Sequence, residues 1–133
     1  MMLVPCYLAP SSIEGLGVFS HQDLRKGQEI WRLDTRFDRL IPLADVGSAP
    51  EHVREFLDRY GYLSAPESDM LVLDFDEGRF MNHSDTPNTD FTRPDVGLAL
   101  EDIPAGTEIT CDYACFTWGE LTFQPPRHRV AAA

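Results

Sequence analysis

Cysteine is scarce and badly placed for structural use: Cys6, Cys111 and Cys115 are an odd number with no C-x-x-C pair. That argues against a disulfide framework and against a four-thiolate zinc site, and it fits a reducing compartment, so cytoplasmic residence is expected. Basic residues are also few, 11 Lys and Arg against 22 Asp and Glu, a net charge of −11. Such a balance disfavours a phosphate backbone, so no nucleic-acid partner is expected. It leaves two readings: attraction of a basic partner such as a Lys-rich peptide tail, or simply a charged surface that keeps copies apart. Long apolar runs are missing as well. Met1 to Pro10 has no basic n-region and contains two prolines, so neither a signal peptide nor a membrane anchor is expected. The four histidines, His21, His52, His83 and His128, form neither H-x-x-x-H nor H-E-x-x-H, which argues against a zinc hydrolase, and no metal site is expected.

At 133 residues, 43% hydrophobic and 25% charged, the chain has the size and composition of one globular domain. Short strand-like runs dominate: Val18–Ser20, Glu29–Leu33, Met70–Phe75, Gly97–Leu100 and Glu108–Cys111, each bounded by Gly, Pro or Asp. The fold class is therefore mainly β. One helix is expected near 51–60, where Val53, Phe56, Leu57 and Tyr60 fall at i, i+3, i+4 and i+7. Ser48-Ala49-Pro50-Glu51 has the S-x-x-E form of a capping box, and Gly61 reads as the helix stop. The phrases Asp23–Ile30 and Glu101–Ile109 are alike, each a turn ending in Gly before a strand, and predict two analogous corners. Residues 125–133 read as a flexible tail.

The candidate chemistry is concentrated in a few places. Gly15 and Gly17 flank Leu16, which suits a tight turn or close approach of backbone to a ligand. The third glycine of a dinucleotide fingerprint is absent, since Ser20 stands there, and no strand–helix context surrounds the pair. His83 lies in a polar segment, Arg79-Phe80-Met81-Asn82-His83-Ser84, continued by Pro87-Asn88. A Cys–His nucleophile from Cys111 or Cys115 with His83 stays open, because such partners need only meet in space. The alternation of Cys111 with Ile109 favours a core or wall role instead. Tyr113 ends the run Gly106-Thr107-Glu108-Ile109-Thr110-Cys111-Asp112-Tyr113, and a Tyr at a strand end is ordinarily a half-buried side chain with a wet tip.

The order of these elements (glycine turn, Asp74 strand, R-F-x-N-H-S-x-x-P-N, then G-x-E-I-T-x-D-Y) resembles the SET-domain protein-lysine methyltransferases from about Ser11 to Tyr113. The resemblance implies a fold of several small curled sheets, β-clip-like, with the Asn82-His83 segment and the Asp112-Tyr113 loop forming a C-terminal pseudoknot. Residues 1–124 would be a single SET domain, with 34–69 a short variable insert carrying the helix. The size looks like that of bacterial or viral members. The implied activity is methyl transfer from S-adenosylmethionine to a lysine Nε of a basic protein or peptide, with histone-like and ribosomal proteins both in view and homodimerisation a family trait. A non-catalytic module of the same fold, binding cofactor or a basic peptide, is the alternative.

By the same resemblance Tyr113 is the catalytic tyrosine. Glu14, Gly15, Leu16, Gly17, Arg79, Phe80, Asn82 and His83 would form the cofactor site. Asp85 stands where many members have a cysteine, and no cysteine-rich segment follows Tyr113, so a zinc-free version is expected. Trp118 or Phe116 would then cover the adenine. Cys111 takes a position usually aromatic in the family and, with Phe91, would wall the lysine channel. That smaller wall predicts addition of more than one methyl.

Overall fold

The computed structural model describes residues 1–65 and 68–115. Ten strands form three small sheets. The first has the order β1 (Cys6–Pro10), β2 (Leu16–Ser20), β10 (Glu108–Cys111), β7 (Asn82–His83). The second is β3 (Glu29–Arg32), β9 (Val96–Ala99), β8 (Thr89–Asp90), and the third is β4 (Arg39–Pro42), β6 (Met70–Leu73), β5 (Tyr62–Leu63). All pairings are antiparallel except β10 with β7, which is parallel with Thr110 opposite Asn82 and Cys111 opposite His83. The mainly β class is as expected.

One core joins the first two sheets: Val18, Leu24, Ile30, Trp31, Met81, Ile103 and Ile109 are all buried within it. Burying such side chains supplies the main stabilising term, about 1.5–3 kcal/mol each. Ser20 and Thr110 are buried in the same region because their hydroxyls bond backbone, Ser20 Oγ to Gln22 O at 2.8 Å and Thr110 Oγ1 from Asn88 N at 3.2 Å.

The two similar corners pack against each other reciprocally. Leu24 and Ile103 exchange backbone hydrogen bonds of 2.8 and 2.9 Å. Asp23 Oδ1 accepts from Ala105 N at 2.9 Å while Asp102 Oδ1 accepts from Lys26 N at 2.8 Å, so each Asp satisfies the other corner's turn. Gly27 and Gly106 have φ of 83° and 81°, the left-handed region that favours glycine.

β10 is clasped by the segment that carries the polar motif. Ser84 N donates to Cys111 O at 3.0 Å, Asn88 Nδ2 to Glu108 O at 2.8 Å, and Thr110 N to Asn88 Oδ1 at 2.9 Å. Thr89 Oγ1 closes the clasp on Thr110 O at 2.6 Å. Asn88 thus pairs with β10 as a strand would, which is the interlacing of the two segments that a pseudoknot requires.

Helix α2 spans Glu51–Tyr60, as its apolar spacing predicts, but its ends differ from expectation. The capping box does not form. Ser48 closes the preceding helix α1 (Leu43–Ser48) by donating to Asp45 O at 3.2 Å, and Pro50 stands at the N-cap of α2 with no side-chain bond. Gly61 is extended, not left-handed, with φ of −90°. Glycine is required there because a Cβ would lie 2.7 Å from Leu71 Cδ2 and 2.8 Å from Leu57 O. Of the predicted stripe only Leu57 is fully buried, with Val46 and Leu71. Phe56 and Tyr60 instead stack toward Phe80, at ring distances of 4.9 Å from each other and 5.1 Å from Tyr60 to Phe80. Among the described residues no helix is long and apolar enough to cross a membrane.

Candidate functional site

The turn between β1 and β2 is built before it meets any ligand. Gly15 has φ of +48°, and its carbonyl accepts from Ser11 N at 2.8 Å. Ser11 Oγ accepts from Ile13 N and donates to Glu108 Oε1 at 2.7 Å. Asn82 then fastens the turn from the other side: its Nδ2 lies within hydrogen-bond distance of Glu14 O at 3.0 Å, Leu16 O at 3.1 Å and Glu108 Oε2 at 3.0 Å. A buried amide and a carboxylate, one from each motif, thereby position the glycine turn. Glu108 is a supporting residue that the sequence pattern places in a motif without revealing its task.

A cleft of about 230 Å³ opens where this turn faces the start of the polar segment. Glu14, Gly15 and Leu16 line one wall, Arg79, Phe80 and Asn82 another, and Tyr113 is also part of the lining, so seven of the expected site residues share this cleft. Helix α2 contributes Arg59 and Tyr60, which sequence reasoning missed. Two polar atoms at this cleft are buried with no hydrogen-bond partner, Glu14 Oε1 and Arg79 Nε. The Arg79 guanidinium lies over the rings of Phe80 and Phe56, at 5.4 and 5.6 Å from their centroids. Such contacts hold the guanidinium without using its donors.

A second, smaller space of about 40 Å³ adjoins the cleft and shares Tyr60, Arg79 and Tyr113 with it. Trp31, Tyr62, Asp74, Phe91 and Cys111 complete its lining, bringing the two expected channel residues, Phe91 and Cys111, together with Tyr113. It exceeds the room a single water needs, roughly 10–15 Å³, and suits the tip of a side chain. A third space shares Trp31, Tyr62 and Phe91 with the second and is bordered on its far side by Ser64, Thr92, Arg93 and Asp95. The three spaces form a row through the domain, and Tyr113 stands where the first meets the second.

Tyr113 is buried, and its hydroxyl donates to Met81 O at 2.6 Å. With its proton committed to that carbonyl, the phenolic oxygen faces a ligand as an acceptor. Tyr62 OH approaches Asp74 Oδ1 at 3.4 Å and Trp31 Nε1 donates to Asp74 Oδ2 at 3.2 Å. Burial, the largest cause, lifts the Asp74 carboxyl to about 6, and Asp38 and Asp76 push the same way against the N-terminal ammonium and the Trp31 bond. Burial likewise drives the Tyr62 phenol well above its usual range.

Two expected residues hold the site without lining it. Gly17 has room for no side chain because a Cβ would lie 2.5 Å from Glu108 Oε2. His83 Nδ1 accepts from Tyr113 N at 3.0 Å, so the ring proton sits on Nε2, which pairs with Asp85 Oδ1 at 2.8 Å. The imidazole therefore fixes the Tyr113 backbone to β7. With both nitrogens engaged and the Cys115 thiol pushed up by burial, the Cys–His nucleophile has no support here. Trp118 and Phe116 lie outside the described residues. Tyr60-Gly61-Tyr62, two aromatics about one glycine, was the available signal for the missed tyrosines; nothing marked Arg59.

A model of the SET domain matches residues 15–114, and the chain belongs to the SET-domain family. Histone-lysine N-methyltransferase 2D of Homo sapiens is 26% identical over 134 residues, covering 93% of this chain, and its Mus musculus counterpart is equally similar. The chain spans only 2% of the length of these relatives. Among solved structures, a ctPRC2 chain in an autoinhibited conformation bound to S-adenosylmethionine superposes with a TM-score of 0.68 at 22% identity, covering 90% of this chain and 16% of that one. A Plasmodium falciparum candidate histone methyltransferase gives 0.56 at 24% identity, covering 84% and 95%. These likenesses support the fold of small curled sheets.

Proposed function

We propose that the chain transfers methyl groups from S-adenosylmethionine to the Nε of a lysine in a basic protein or peptide. The observation that carries this is the row of three adjoining spaces with Tyr113 at the first junction. A reaction between two large substrates that meet end to end needs two separate entrances and a narrow passage, and this chain has that shape.

The residues fit the cofactor. An amino acid head, an adenosine and a sulfonium need charged, apolar and close-approach surfaces together. The cleft has Glu14 and Arg79 with unfilled polar atoms, the Phe80 ring, and the Gly15-Leu16 backbone held by Asn82. When bound, the cofactor supplies an electrophilic methyl group. The chain's own residues do the rest. Trp31, Tyr62 and Phe91 give the lysine stem an apolar passage that excludes water. Desolvation lowers an amine's pKa, which favours the neutral form that has a lone pair to attack. The Tyr113 oxygen accepts an amine N–H and so turns the lone pair toward the cleft. Such positioning contributes up to about 7–11 kcal/mol in favourable systems. The net charge of −11 favours encounter with a basic substrate, a histone tail or a ribosomal protein among them.

Thermal melting with S-adenosylmethionine or its demethylated product tests the first half: a rise in midpoint is expected, growing with ligand concentration. Transfer of labelled methyl to mixed basic proteins tests the second. Binding without transfer would make the chain a cofactor-holding module; neither binding nor transfer would remove the proposal.

A further inference from the structure

The cofactor cleft is partly walled by helix α2, through Arg59 and Tyr60. Arg59 Nη2 stands 3.5 Å from Glu14 Oε1. That is an ion pair, but longer than the 2.7–2.9 Å of a charge-assisted hydrogen bond. Glu14 is only 12% exposed in its side chain, and its Oε1 is buried without a hydrogen bond. A carboxylate oxygen taken from water and left with a distant partner is costly to keep. A guanidinium carries five N–H donors, so pairing with Glu14 does not exhaust Arg59. The cleft therefore sets an unfilled negative acceptor beside a cation on a different element of the fold.

We propose that Arg59 and Glu14 together hold the α-amino acid head of the cofactor, its carboxylate on Arg59 and its ammonium on Glu14. This rests on the methyl-transfer reading and adds a binding residue to it. A zwitterion is the ligand whose two charges match the pair, and it turns one long contact into two short ones. The adenosine portion carries neither charge and gains nothing from either residue. Because Tyr60, the next residue of α2, borders the amine passage, the head group would also fix the helix that shapes that passage.

Calorimetric titration with two nucleosides isolates the claim: S-adenosylhomocysteine has the amino acid head, and 5′-methylthioadenosine has the same nucleoside and thioether without it. Wild type is expected to bind the first more tightly. Arg59→Gln is expected to weaken S-adenosylhomocysteine by about tenfold or more while shifting 5′-methylthioadenosine by less than about twofold. Arg59→Lys should fall between, and unligated melting of each variant checks that it folds. The exchange of Glu14→Arg with Arg59→Glu restores an ion pair but inverts its charges, and should not recover the affinity. Unchanged binding of S-adenosylhomocysteine by Arg59→Gln, equal loss of both nucleosides, or recovery in the charge exchange would overturn the inference and leave the methyl-transfer reading standing. Failure of wild type to bind either nucleoside would overturn both.

Discussion

Asn82 Nδ2 donates to Glu108 Oε2 at 3.0 Å, and this bond joins the two segments that carry the family motifs. The same amide reaches Glu14 O and Leu16 O, while the other oxygen of Glu108 accepts from Ser11. The glycine turn that walls the cofactor cleft is thus held by side chains from 66 to 97 residues away in sequence.

Gly17 pays for that arrangement with its own side chain. A Cβ there would meet Glu108 Oε2 at 2.5 Å, so Gly17→Ala should destabilise the domain by about 1–3 kcal/mol, as overpacked sites do. In a Glu108→Ala background the obstruction is gone, and the same change should cost clearly less. Urea denaturation of the four proteins reads the coupling; strictly additive costs would contradict it.

Asp74 should make stability depend on pH in a window set by burial. Its folded carboxyl titrates at about 6 against a model value of 3.8, so between about pH 4 and 6 the folded chain binds more protons than the unfolded one. Stability from this group is present at the acid end and lost as pH rises through the window. Asp74→Asn lacks the titration, so its stability relative to wild type should rise by up to about 3 kcal/mol from pH 4 to 6.5. Denaturation at several pH values checks this, and a difference that stays flat would sink it.

Cys111 and Phe91 wall the small space beside Tyr113, and Cys111 is a compact residue there. A methylated amine then has room to turn, and mass spectrometry of a substrate at exhaustive turnover should show more than one methyl. Cys111→Tyr fills much of that space and should shift products toward a single methyl. Monomethylation alone by wild type would contradict the prediction.

The sequence made legible what rests on local pattern. Helix α2 follows from the spacing of Val53, Phe56, Leu57 and Tyr60, and five strand cores follow from apolar runs between turn residues. β1 escaped because four of its five residues are half-buried, leaving no alternation to read. The two-residue strands β5, β7 and β8 exist only because a partner strand pairs with them. For the site, residue order placed Tyr113, Asn82 and Arg79 in one reading, since the motifs keep their polar residues together. Arg59, Tyr62 and the Asn82–Glu108 bond depend on tertiary approach, and His83 showed its role only when both ring nitrogens had partners.

The most direct measurement compares transfer of labelled methyl from S-adenosylmethionine to a basic protein by wild type and by Tyr113→Phe, with cofactor affinity measured alongside. Removing the hydroxyl that bonds Met81 O should lower transfer about a hundredfold or more while cofactor affinity stays within a few-fold. Transfer that persists undiminished in Tyr113→Phe would contradict the account.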